Sequence, residues 1–333
     1  MLKVGKLDSN LLQKAVIENI KFKRPEVKVR AGIGEDCAVV DFGEYDCVIS
    51  TDPITASVND IGRLAIHISC NDIASNGVEP LAITLAVMLP EGTCEEDVEM
   101  IMKQAGEASE EAGVEIVGGH TEITRAVNQP VIVSTAFGRT LSGNSQSASE
   151  MQEGDFILMT KKAGLEGTGI IASDLEEELR GYLTEEELQE AKEMLYDVSV
   201  IREGVIAGEI GTAGMHDVTE GGILGAIWEM CNISGLGAEI SAKDITVSPI
   251  TEKIASKYDI DWMRFISSGC LLIVAHPDKK DEIMKKLQVA GVEVSCIGVV
   301  KDENFGLILT KEDGSSEKIA PPAEDELYKA ITK

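Results

Sequence analysis

Basic residues are scarce in this sequence: 30 lysines and arginines face 58 aspartates and glutamates, for a net charge of −28. Such a surface repels phosphate backbones and anionic headgroups, and no lysine- or arginine-rich run offsets it. Nucleic acid and membrane are therefore not expected partners. An anionic substrate must instead meet a local exception made of metal ions, backbone N–H groups or a few basic side chains. No run reaches the roughly 18 consecutive apolar residues of a membrane span, and the opening MLKVGKLDSNLLQKAV lacks the apolar block of a signal peptide. The seven cysteines are an odd, scattered set without a C-x-x-C pair, and most sit in apolar runs such as DCVIS and CLLIVA. They read as small buried thiols in a reducing, cytoplasmic protein.

Familiar phosphate and catalytic motifs are missing as well. There is no G-x-x-x-x-G-K-[ST], which excludes a Walker-type loop, and no G-x-G-x-x-G, G-x-S-x-G or H-E-x-x-H. Gly32-Ile-Gly34 lacks a third glycine and is followed by acids that repel a pyrophosphate unless metal intervenes.

What is present is an ordinary globular balance, 44% hydrophobic and 26% charged over 333 residues, enough for two domains of roughly 150 residues. The polar stretch 141–155 is the best linker, giving expected domains at 1–145 and 150–333. Hydrophobic spacing predicts helices over 8–20, 60–76, about 94–112, 184–196, 199–210 and 219–235, with further helices in SPITEKIASKY and DKKDEIMKKLQVAG. Asp8 or Ser9 is the expected cap of the first helix, and Thr93 with Glu96 a capping box for the third. Strands are expected in CAVVD, DCVIST, LAITLAVML (apolar enough to be covered on both faces), VEIVG, VIVSTAFG, DFILMT, CLLIVA and VEVSCIGVV. Strands and helices mix in each half, so the fold class is α/β (α+β) with two domains.

Three signals carry chemistry. The first is a set of carboxylates beside turn residues: Asp36 in GIGEDCAVV, Asp52 in STDPITAS, Asp72 next to Asn71 in HISCNDIASNG, and Asp217 in MHDVTEGG. Singly, each is what a turn or cap uses; converging, they would supply the oxygen ligands and metal-to-phosphate bridging that magnesium prefers. The second is Val117-Gly118-Gly119-His120-Thr121-Glu122, read as a glycine turn after a strand whose backbone can approach an anion, with His120 as acid/base or phosphate ligand. The third is Asp217-Val-Thr219-Glu220-Gly-Gly, where Thr219 can cap a helix whose N-terminus favours anions. The other histidines are weaker: His67 is placed to partner Asn71 four residues on, His216 merely precedes Asp217, and His276 reads as structural.

These pieces in this order, across roughly residues 30 to 300, resemble the AIR synthase superfamily, and within it the hydrogenase-maturation (HypE) branch through GEDCAVV, NDIASNGVEP and MHDVTEGGILGAIWEM. The resemblance implies an N-terminal domain that dimerises through its sheet, a C-terminal α/β domain, and ATP held with Mg2+. It implies Asp36, Asp52, Asp72 and Asp217 as metal/phosphate acids, and Asn71, Gly118, Gly119 and Thr121 as cofactor contacts, with His120, Asp217 and Glu220 as catalytic candidates. The expected function is ATP-dependent phosphoryl transfer to, or activation of, an amide, carboxylate or phosphate oxygen of a small-molecule or protein-borne acceptor. A homodimer and a maturation partner protein are the implied assemblies. Two departures stand out. The HypE branch ends in a carrier cysteine, whereas this sequence ends ELYKAITK and its last cysteine is Cys296; and His120 follows the paired glycines where that branch has aspartate. A thiamine-phosphate-kinase-like activity and a non-catalytic ATP-binding paralogue are the alternative readings.

Overall fold

The computed structural model describes residue 5 and residues 7–55 and 59–331. The end of the STDPITAS stretch, most of the first six residues and the last two of ELYKAITK lie outside them.

The chain opens with helix α1 (Ser9–Ala15), whose first turn is fixed by Asp8 Oδ1 accepting the Leu11 N–H at 3.1 Å. Strands β1 (Val27–Val29), β2 (Ala38–Asp41) and β3 (Tyr45–Ile54) then form an antiparallel meander. Helix α2 (Ile61–Ser75) is buried along its whole length, and Gly77, at φ 74°, turns the chain into β4 (Pro80–Leu89). Helix α3 (Glu95–Ala112) starts from a capping box made by Cys94 and Asp97, one residue later than the pair expected from sequence, and stops at Gly113. Strands β5 (Glu115–Ile123) and β6 (Val131–Leu141) complete a six-stranded sheet of order β1-β2-β3-β6-β4-β5.

In that sheet alternate residues of β3, β4 and β6 are buried while their neighbours stay part-exposed. The expectation that β4 is covered on both faces fails because α2 packs on one face only, against β3 and β6. The second correction concerns the glycine pair. Gly118 and Gly119 are not a turn: β5 runs straight through them, paired parallel with β4 and forming the sheet edge. A Cβ on Gly119 would sit 1.8 Å from the Leu85 carbonyl oxygen, so glycine is required there by strand contact.

The second half holds β7 (Phe156–Thr160), α4 (Leu165–Asp174), α5 (Glu176–Leu179), α6 (Glu185–Glu193), α7 (Ile201–Ile210), β8 (Met215–Asp217), α8 (Gly222–Ser234), β9 (Gly237–Ser241), α9 (Pro249–Tyr258), β10 (Leu271–Ala275), α10 (Lys280–Val289), β11 (Val294–Lys301), β12 (Leu307–Thr310), β13 (Ser316–Lys318) and α11 (Tyr328–Ile331). Its seven strands are ordered β13-β12-β9-β11-β7-β10-β8. Strand β10, between β7 and the edge strand β8, is buried on both faces: Leu272 and Val274 join one apolar cluster, Leu271, Ile273 and Ala275 another. Thr219 does not cap α8, which begins only at Gly222 behind Gly221 in left-handed conformation. Each half thus carries its own sheet in a mixed α/β arrangement, and a third apolar cluster runs from α2 and β4 into α4, α6 and α9, welding the halves together. Among the described residues no helix is long and apolar enough to cross a membrane.

Candidate functional site

A cleft of about 1130 Å³ opens where the halves meet, lined from one side by Asp36, Asp52 and Asp72 and from the other by Glu166, Thr219 and Glu220. Each aspartate is delivered by a different piece of backbone. Asp36 lies in the loop before β2, Asp52 on β3, Asp72 in the last turn of α2, and Asp217 ends β8. Four acids separated by as many as 181 positions in sequence therefore meet around one point. Asp36 and Asp217 carry oxygens within 4.8 Å of one another and of a His216 nitrogen.

The electrostatics follow from that crowding. Asp72 accepts the Ser50 hydroxyl, and its carboxyl is pushed well above the ordinary aspartate range by burial and then by Asp217 and Asp52. Asp217 is wholly buried just behind the cleft wall, and its pKa is raised to about 7 by burial and by Asp36. Neither oxygen of Asp217 has a hydrogen-bond partner among the described residues. Leaving two such oxygens dry and unpaired is costly, and a bound cation removes the cost.

His216 belongs to this cluster, although its sequence position alone gave it little weight. Its Nδ1 faces the Asp217 carbonyl oxygen at 2.7 Å and Asp36 Oδ2 at 3.4 Å, and Nε2 faces Glu229 Oε2 at 3.2 Å. All three partners are acceptors, so both ring nitrogens donate and the ring is an imidazolium. Burial alone would lower its pKa, but Asp36 and Glu229 outweigh that and hold it at about 10. A doubly protonated ring has no lone pair to give a metal; His216 is the counter-charge that lets Asp36 and Glu229 sit here. Glu229, on α8, was also missed. The only sequence signal was its spacing behind the DVTEGG motif.

The remaining expected residues divide. Glu220 lines the cleft. Asn71 is fully buried, and its amide is spent on backbone of the other half, Nδ2 to Val198 O and Oδ1 from Val200 N–H, both 2.8 Å. With both ends bonded to the other half it serves as a clamp that sets Asp72, and it does not itself line the cleft. Gly118, Gly119, His120 and Thr121 lie on the exposed edge strand β5, away from the cleft lining; His120 faces Glu122 at 3.5 Å. His67 packs beside Arg63 at 3.3 Å rather than pairing with Asn71. His276 accepts or donates with Asp155 at 2.7 Å, a structural contact.

Comparison with known proteins agrees with this layout. Residues 34–140 match the AIR synthase related protein N-terminal domain, and residues 152–309 match the corresponding C-terminal domain. A Methanocaldococcus jannaschii protein named for hydrogenase expression/formation is 28% identical over 319 residues, 92% of this chain and 91% of its own length. Two solved structures share the fold. A chain of the HypE–HypF complex superposes with a TM-score of 0.77 at 22% identity, covering 94% of this chain and 99% of that one. The hydrogenase maturation protein HypE in complex with ATP gives 0.72 at 21% identity, covering 97% and 96%.

Proposed function

The chain belongs to the AIR synthase related family, and from that premise we propose that its cleft binds ATP with magnesium and passes the γ-phosphoryl group to an amide, carboxylate or phosphate oxygen of an acceptor. The observation that carries this reading is the convergence of Asp36, Asp52, Asp72 and Asp217 at the cleft, with both Asp217 oxygens unpaired. Hard carboxylate oxygens in that number suit magnesium, so the donor set fits the ion the family implies. Bound there, the ion would screen phosphate charge and polarise the transferring group.

The protein's own residues do the rest. His216 holds Asp36 and Glu229 in place, and Asn71 holds the α2 segment that carries Asp72. Phosphoryl transfer forms a bond from the acceptor oxygen to the γ-phosphorus and breaks the bond to the β–γ bridging oxygen, releasing ADP. Alignment and charge stabilisation supply most of the rate. Glu220, at the cleft wall, is the base we assign to the acceptor's proton. An ATP complex of HypE, which shares the fold, supports the nucleotide, and the HypE–HypF complex supports a maturation partner protein.

A homodimer is part of the same proposal. Among the described residues no strand pairs with the outer side of edge strand β5, which exposes Val117 and Ile123, a surface that invites a second sheet. Gly118, Gly119, His120 and Thr121 enter the scheme only through such a second copy. Calorimetry with ATP and Mg2+ tests the central claim: wild type binds, and Asp52→Asn and Asp72→Asn each weaken binding at least tenfold. No binding by wild type, or unchanged binding in both variants, overturns it.

A further inference from the structure

Ser50 occupies a position where the fold calls for an apolar side chain. On β3 the alternation places Val48, Ser50, Asp52 and Ile54 on one face, the one packed against α2. Val48 and Ile54 belong to the apolar core, and Ser50 is buried to 5% exposure between them. A buried hydroxyl in such a place costs stability unless it is hydrogen-bonded. Here it is used on the acids. Ser50 Oγ donates to Asp72 Oδ2 and stands 3.4 Å from Asp52 Oδ2. One hydroxyl thus lies between two of the cleft carboxylates, one carried by the sheet and one by the helix.

The main chain behind each acid is fixed as well. The Asp72 carbonyl accepts the Ser75 hydroxyl at 2.7 Å, the Asn76 side-chain N–H at 3.3 Å and the Cys37 thiol at 3.2 Å. These bonds satisfy an acceptor that the end of α2 would otherwise leave without a partner. The Asp52 carbonyl accepts the Ser134 hydroxyl at 3.4 Å, and Ser134 is bonded in turn to the Ser69 hydroxyl of α2 at 2.8 Å. With both backbones held, what remains to the two carboxylates is side-chain rotation, and Ser50 limits it.

A fixed spacing selects among cations. Mg2+ needs near-octahedral oxygen ligands at about 2.0–2.1 Å, whereas Ca2+ takes more ligands, at about 2.3–2.6 Å, in looser geometry. Two carboxylates tied to one hydroxyl cannot spread to meet the larger ion.

We infer that Ser50 is a positioning residue that sets the cation selectivity of the cleft, holding Asp52 and Asp72 at a spacing that favours Mg2+ over Ca2+. This rests on the proposed metal site and adds to it the residue that chooses the ion.

The test titrates Mg2+ and Ca2+ separately into the full-length protein without nucleotide, reading each affinity from the rise in melting temperature. Circular dichroism checks that each variant folds. Wild type binds Mg2+ at least tenfold more tightly than Ca2+. Ser50→Ala releases both carboxylates and narrows that ratio at least fivefold, chiefly by gaining Ca2+ affinity. Ser50→Thr keeps the hydroxyl and stays within twofold of the wild-type ratio. Ser50→Cys keeps the volume but offers only a weak donor; it behaves as the alanine variant does, and carries the test if that variant does not fold. A wild type without preference, an unchanged ratio in Ser50→Ala and Ser50→Cys, or a Ser50→Thr that loses the preference as fully as alanine overturns the role of Ser50 and leaves the metal site standing. A wild type stabilised by neither ion overturns the metal site itself, and this inference with it.

Discussion

Asn71 grips Val198 across the boundary between the halves, its side-chain N–H reaching the Val198 carbonyl at 2.8 Å while its own oxygen takes the N–H two residues on. Asp72, the next residue, is therefore positioned relative to the second half by two buried hydrogen bonds rather than by packing alone.

Replacing Asn71 with alanine leaves two buried backbone groups unpaired. The expected cost is about 2–4 kcal/mol of folding stability, read from urea unfolding. Asn71→Asp should do no better: it keeps an acceptor for the Val200 N–H but turns a carboxylate toward the Val198 carbonyl. Both variants should also bind Mg2+ more weakly, since Asp72 loses its reference to Asp217.

Asp217→Asn should move two measurements in opposite directions. The carboxyl is destabilised by burial and by Asp36, so the metal-free variant melts higher than wild type at pH 8. Its gain from millimolar Mg2+ should be smaller, because a ligand that binds only the native state stabilises in proportion to its affinity. Thermal melts with and without Mg2+ check both signs; a variant that gains as much from Mg2+ as wild type would remove Asp217 from the metal set.

Glu166 gives a pH dependence. Burial raises its pKa from 4.5 in the unfolded chain to about 7, with Ser268 partly opposing and Asp325 and Glu220 adding. The folded protein therefore holds a proton that the unfolded chain has already lost. Stability falls as pH rises from about 4.5 to about 7 and levels off above, by roughly 3 kcal/mol at most. Glu166→Gln should flatten that stretch of the stability–pH curve. An unchanged slope would mean that Glu166 is ionised throughout.

Gly119→Ala should disrupt the first sheet, since the new methyl falls on the Leu85 carbonyl, whereas a Cβ at Gly118 meets nothing within 4 Å. The expectation is an aggregating or unfolded Gly119→Ala and a folded, weakened Gly118→Ala, distinguished by circular dichroism and gel filtration.

Val117→Lys with Ile123→Lys puts two charges on the exposed β5 edge and should convert the proposed dimer into a monomer by sedimentation. A wild type that is already monomeric would refute the edge as an interface.

The sequence by itself determined a great deal here. Apolar periodicity located α2, α3, α7 and α9 to within a residue or two, and the polar stretch 141–155 falls between two sheets. The ordered acidic motifs gave the family. Periodicity works because helix and strand burial repeat within a few residues. It could not find β8 or β12, which are only three and four residues long, and it took Gly118-Gly119 for a turn because glycine signals conformational freedom without saying whether a neighbouring strand requires it. Tertiary structure alone decided that Asn71 is a clamp, that His216 is an imidazolium between Asp36 and Glu229, and that Ser50 stands between Asp52 and Asp72. Each of those roles depends on a partner from a distant segment, and the charge or hydrogen bond that defines it exists only once the chain has closed the distance.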